Sequence, residues 1–261
     1  MRSYILHSQP DKADGRSAHA AHGGSASSGS LARDAAGDPG GAREAGVDPA
    51  AIEELSRAIQ THEVMPLLLS AFKLVDFEVR KTFTAVFCYA TRHDIAGFAS
   101  AYLPQHTALL YALVDGYTAP DLALHCGTML RECIKLPDLH KALLYGPDGG
   151  LSKPLADILT THVRNPNFEV AADAFETLAA VMTNNKALVY GFLNPDGDAA
   201  SAAHYAELFA LYGELIESQN YVLKRQSLKL LSEFLLDRDN FRIMMRYISD
   251  RCVVARRGLR C

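Results

Sequence analysis

Four stretches of this chain share one pattern: a polar residue or proline that can open a helix, then a long run with apolar residues at helical spacing. They are "DFEVRKTFTAVFCYATR" from Asp76, "PDLALHCGTMLRECIKLPDLHKALL" from Pro120, "NFEVAADAFETLAAVMTNNKALVYGFL" from Asn167 and "NYVLKRQSLKLLSEFLLDRDNFRIMMRYI" from Asn220. Asp and Asn side chains accept hydrogen bonds from the free N–H groups of a first helical turn, and proline suits the first helical position. With Phe77, Asp121, Phe168 and Tyr221 taken as equivalent, the units lie 44, 47 and 53 residues apart. The first two spacings fit the period of HEAT and armadillo repeats. The third needs an insertion, and the turn-forming run "NPDGDAAS" from Asn194 supplies one. A single helical unit cannot bury its own apolar stripe, so such units stack and share one core. The fold class is therefore all-α, an armadillo/HEAT-like helical-repeat solenoid. The long helix after each cap is expected to line one wall, and the last three units to continue through a polar break into a second apolar helix. Four residues beyond each equivalent position stand Lys81, His125, Ala172 and Arg225, a mostly polar row expected to face solvent.

The repeats set the domain limits. Residues 1–47 are rich in Ala, Gly and Ser, with Leu31 the one large apolar residue between Pro10 and Gly46. Such a stretch cannot bury enough surface to offset its ordering entropy, so a disordered tail is expected there, and its His19 and His22 lack further ligands for a metal. Asp48 as N-cap with Pro49 behind it predicts the first helix, and 48–250 reads as one helical-repeat domain. The last residues, 251–261, "RCVVARRGLRC", read as an atypical basic tail.

Several functions are disfavoured. A net charge of −4 is unlike the basic excess of nucleic-acid-binding domains, so no nucleic acid is expected. The five cysteines, an odd number without a Cys-x-x-Cys pair, read as reduced thiols packed as small apolar groups in a cytoplasmic protein. Cys126 and Cys133, seven apart, should share a buried helix face. No apolar run approaches the ~20 residues of a membrane span. No phosphate-binding loop, nucleophile elbow or zinc-protease motif occurs, so the chain reads as no enzyme, with no cofactor and no metal. "DRDN" from Asp237 begins like a calcium loop, but its sixth and twelfth positions are Arg242 and Ile248, where glycine and glutamate are required. His125 reads as a half-buried polar residue.

The runs "NYVLKRQSLKLLSEFLLDRDNF" and "LALHCGTMLRECIK" resemble the two most specific blocks of the calcium-binding protein 39 family, also called mouse protein 25. "LVDFEVRK" and "NFEVAADAFETL" are similar to weaker blocks in the same order, so the resemblance covers about residues 50–250. It implies a non-catalytic scaffold of armadillo-like fold whose concave face grips a STE20-type kinase or a STE20-related pseudokinase, within a liver-kinase-B-like complex. It also implies partner-binding roles for Phe168, Tyr221, Arg225, Arg238 and Phe241. Each has a blander reading: Tyr221 packed over Arg225, Arg238 paired with Asp237 or Glu233, Phe241 in the core. The alternatives are a generic α-solenoid adaptor without kinase activation, or a truncated form without function. A monomer is expected.

The family continues with further repeats where this chain reads "RCVVARRGLRC". The expectation is a shortened array that lacks the family's second pocket, for a Trp-Glu-Phe motif. Its last helix pair should expose apolar surface around Ile243, Met244 and Tyr247.

Overall fold

In the computed structural model, residues 49–194 and 196–258 are described, with side chains over 50–251 apart from residue 195. The expectations for the 1–47 tail, for Asp48 as a cap, and for residues 259–261 lie outside the described residues. So do the side chains of 252–258.

The chain forms helix after helix: α1 (Pro49–Thr61), α2 (Val64–Ser70), α3 (Phe77–His93), the short α4 (Leu103–Gln105), α5 (Ala108–Asp115), α6 (Pro120–Ile134), α7 (Pro137–Leu144), α8 (Lys153–Thr160), α9 (Phe168–Thr183), α10 (Lys186–Leu193), α11 (Ala199–Ile216), α12 (Tyr221–Leu235) and α13 (Phe241–Gly258). No strand forms among the described residues. A single bridge, Tyr145 to Leu151, closes the "GPDGG" turn, where Gly149 takes a φ of 81° that favours glycine. Among the described residues no helix is long and apolar enough to cross a membrane.

The caps fall where the sequence places them. Asp76 accepts from the N–H of Val79 at 2.9 Å. Asn167 accepts from Glu169 at 3.0 Å, and Asn220 from Val222 at 3.0 Å and Leu223 at 3.2 Å. Proline opens α6 at its first position instead. Because a cap fixes where its helix begins, Phe77, Phe168 and Tyr221 each become the first residue of a long helix.

These helices stack. α3 packs on α6, α6 on α9, and α9 on α12. A second layer, α2, α5, α8 and α11, packs behind them in the same order. The units opened by α3, α6 and α9 therefore each end in a further helix (α5, α8, α11) that the sequence periodicity does not separate out. The extra length before α12 is taken up by α11, which has 18 residues where α8 has 8. Its cap is Asp198, which accepts from the Ser201 N–H at 2.8 Å, so residues 199–201 of the expected loop are already helical.

The core runs continuously between the layers. Tyr117, Tyr212, Phe87, Phe98, Phe192 and Phe234 are among its largest fully buried side chains. Cys126 and Cys133 are both buried, as their seven-residue spacing predicts, and burial pushes the Cys126 thiol up to about 12.

One apolar expectation is corrected. Ile243 is fully buried, and Met244 and Tyr247 are partly buried, with the Tyr247 ring 5.2 Å from that of Phe209 on α11. The exposed apolar residues of α13 are instead Phe241, Met245 and Ile248. The helix turns about 100° per residue, so Ile243 and Tyr247, four residues apart, face inward together while Phe241, Met245 and Ile248 face out. α13 also continues unbroken to Gly258, through the expected boundary at residue 250.

Candidate partner-binding wall

The wall of α3, α6, α9 and α12 is joined by polar contacts between neighbouring long helices. Arg80 on α3 donates to the Asp121 carboxylate on α6 at 2.5 Å. Further along, Arg92 reaches Glu132 at 3.3 Å, and Lys135 holds the other oxygen of Glu132 at 2.8 Å. Between α6 and α9, Arg131 donates to Asp173 at 2.9 Å. The expected row on this wall is confirmed in part. Lys81 and Arg225 are exposed, while His125 and Ala172 are half-buried. His125 lies 3.2 Å from the Thr84 hydroxyl, and burial first, then the Arg80 charge, keeps its pKa below the usual imidazole value.

The five site residues predicted from sequence all point to solvent. Phe168, Tyr221 and Phe241 are 67%, 74% and 58% exposed. Arg225 and Arg238 are exposed as well. Their blander readings do not hold. Asp237 pairs with Lys186 at 2.6 Å and Glu233 with Lys229 at 3.6 Å, not with Arg238. The described cation–π contact is Arg251 over Tyr247, not Arg225 with Tyr221.

The arginines divide cleanly. Arg57, Arg80, Arg92, Arg131, Arg164, Arg242 and Arg246 each close an ion pair, and Arg251 stacks on Tyr247. Among the described arginines, only Arg225 and Arg238 have no side-chain ion pair, hydrogen bond or ring contact. A guanidinium with no internal partner is free to take a carboxylate from another molecule.

The five residues form two groups. Phe168 and Tyr221 begin the adjacent helices α9 and α12, with Arg225 one turn further on. Arg238 opens the turn after α12, and Phe241 begins α13. The 15 residues of α12 separate the groups by roughly 20 Å along its axis. The second group is anchored from outside. Arg242 pairs with Asp196 at 2.8 Å, and the buried Asn240 donates to the Phe234 carbonyl at 2.9 Å.

Sequence reasoning missed Phe77. It is 59% exposed and starts α3, just as Phe168 and Tyr221 start their helices. Among the described phenylalanines and tyrosines, Phe77, Phe168, Tyr221 and Phe241 are the ones more than half exposed, and the first three each start a long helix. The signal was available, since each of the three follows an Asp or Asn cap.

Among the described residues no group of three His, Cys, Asp or Glu side chains is placed to hold a metal ion. The carboxylate of Asp237 caps the turn at the N–H of Asp239. An open groove of about 400 Å³ lies between α11 and α13, floored by Tyr205, Phe209 and Tyr247, apart from the five residues.

A family model described as Mo25-like matches residues 40–254. The calcium-binding protein 39-like protein of Homo sapiens is 37% identical over 201 residues, covering 76% of this chain and 55% of its own length. The degreening-related gene dee76 protein of Auxenochlorella protothecoides is 39% identical over 186 residues, covering 70% and 53%. The Mo25-like protein of Schizosaccharomyces pombe is 32% identical over 211 residues, covering 80% and 60%. The chain thus spans little more than half the length of the curated relatives it matches.

Proposed function

The chain belongs to the Mo25-like family, and from that membership we propose that it is a non-catalytic scaffold whose long-helix wall binds a STE20-type protein kinase or a STE20-related pseudokinase. The carrying observation is the pair of unpartnered arginines, Arg225 and Arg238, set beside aromatic side chains that remain in solvent. Arginine and large aromatics are the side chains that most often dominate protein interfaces. Leaving three aromatic rings exposed forgoes burial free energy, which a partner that covers them would recover.

The mechanism is physical. A wall that fits the active arrangement of a kinase fold better than the inactive one shifts its population towards the active arrangement. Such a shift is limited by the difference in affinity for the two states. In this reading the protein works in the cytoplasm, as part of a liver-kinase-B-like signalling complex.

The test is reconstitution of the full chain with a purified STE20-type kinase. Stimulated phosphorylation of a peptide substrate, lost with Arg225→Ala, is the expected result. Binding without stimulation would favour a plain adaptor, and normal stimulation by Arg225→Ala would reject the assigned wall.

A further inference from the structure

We propose that Phe77 and Lys81, at the start of α3, form the far anchor of the same interface, so that the partner is a folded domain touching both α3 and α12. This rests on the scaffold reading above and extends it by two helices.

Phe77 and Lys81 repeat the arrangement of Tyr221 and Arg225. In each pair an exposed aromatic begins a capped long helix, and an exposed cation follows one turn later on the same face. The nearer cation of α3, Arg80, is committed to Asp121, whereas Lys81 has only a loose 3.8 Å pairing with exposed Glu78. Lys81 is therefore available to an acidic side chain from outside, as Arg225 is.

The Phe77 ring is also held ready. It lies 5.6 Å from the His125 ring, which packs edge-on against Phe72 at 6.1 Å. The Thr84 hydroxyl donates to the Arg80 carbonyl at 2.8 Å, so the hydrogen on His125 Nδ1 donates to Thr84. The imidazole is thereby fixed as a backing plate. An aromatic fixed in place loses little conformational entropy when a partner covers it.

The span identifies the kind of occupant. Three steps between packed helices, at 8–10 Å each, put the two aromatic–cation pairs about 25–30 Å apart. A short peptide lying across one helix cannot reach both. A folded domain with apolar and acidic side chains at two separated points can, and it matches the charge of Lys81 at one end and Arg225 at the other.

The test measures binding of the full chain to a purified STE20-type kinase domain by calorimetry. Phe77→Ala, Lys81→Glu and Arg225→Ala are compared with Leu67→Ala, an exposed apolar residue on α2 in the other layer. Thermal melting checks that each variant folds. Each of the first three should weaken binding about five-fold or more while the control binds normally. Hydrogen exchange at residues 77–82 should slow in the complex. Unchanged affinity for Phe77→Ala and Lys81→Glu, with Arg225→Ala weakened, would overturn the α3 anchor and leave the scaffold reading standing. Unchanged affinity for Arg225→Ala, or no binding by the unsubstituted chain, would bring down both.

Discussion

Arg131 on α6 and Asp173 on α9 clasp the middle of the repeat stack, Nη2 to Oδ1 at 2.9 Å, with both side chains largely buried. Tyr117 donates to the other carboxylate oxygen at 2.7 Å, and Arg131 also reaches the Thr177 hydroxyl at 3.0 Å. Burial first, then the Asp173 charge, raises the Tyr117 phenol far above its usual pKa, so it stays a donor. Every member has a partner, and removing the carboxylate leaves the largely buried guanidinium with only the looser, exposed Glu176 carboxylate at 3.6 Å for an ion pair. Asp173→Ala should therefore lower the unfolding free energy by about 3 kcal/mol. Tyr117→Phe, which leaves the ion pair intact, should cost about 1 kcal/mol. Gly127→Ala should also destabilise, because its Cβ would land on Asp173 and the Tyr117 hydroxyl. Urea titrations of the three variants check the order, and a Tyr117→Phe loss as large as that of Asp173→Ala would refute it.

His140 gives the array a specific acid sensitivity. It is fully buried, with Nε2 donating to the Val181 carbonyl at 2.9 Å and Nδ1 accepting from Asn185 at 3.0 Å. Burial lowers its pKa from 6.5 to about 4, opposed by the Val181 bond. The unfolded chain therefore binds the proton more readily, and stability is lost as pH falls from 6.5 towards 4. The loss between pH 7 and pH 5 from this group should be on the order of 2 kcal/mol. His140→Asn, which cannot titrate, should show a shallower decline over that interval. Unfolding curves at the two pH values decide it: equal slopes for the two proteins would mean that His140 is not the sensor. His162, whose pKa burial also lowers, adds a decline of the same sign to both proteins.

Asn220→Ala should cost about 1 kcal/mol, and Asn220→Asp much less, because only the first removes the acceptor for the Val222 and Leu223 N–H groups. Thermal melting of the pair is sufficient, and equal melting temperatures for the two variants would remove the cap from the account. This bond also shows what the sequence makes legible. A cap is local chemistry, so Asp76, Asn167 and Asn220 can be read directly, and the aromatic that follows each is placed with it. The helices α5, α8 and α11, which close the first three units, were not legible as separate members of those units. Their apolar stripes resemble those of any core helix, and only the packing of α5 on α8 and α8 on α11 reveals a second layer.

Ile243→Ala should cost about 2–4 kcal/mol, whereas Met245→Ala should stay within about 0.5 kcal/mol. Ile243 is fully buried and Met245 is half-exposed two residues later, so chemical denaturation separates them readily. A small loss for Ile243→Ala would mean that α13 is not docked as described. The sequence alone misassigned this face, since "FRIMMRYI" has apolar residues on several sides of its helix. What decides the orientation is long-range: Phe209 on α11 meets Tyr247, and Arg242 is drawn to Asp196.

Arg225 and Arg238 should each be dispensable for folding and needed for binding. Neither side chain has an internal partner among the described residues, so replacing either with alanine removes no intramolecular contact, and melting should shift by no more than a surface substitution does, within about 0.5 kcal/mol. Truncation of an interface arginine that meets a partner carboxylate typically costs about 2 kcal/mol of binding, roughly thirty-fold in affinity. The two stand at opposite ends of α12, roughly 20 Å apart, beyond the distance at which substitutions usually couple. The losses from Arg225→Ala and Arg238→Ala should therefore add within about 0.5 kcal/mol in the double variant, measured by calorimetry with a STE20-type kinase. A double variant no weaker than either single one would mean that the two arginines serve one contact that fails as a unit. That result would be incompatible with a partner spread along the whole helix.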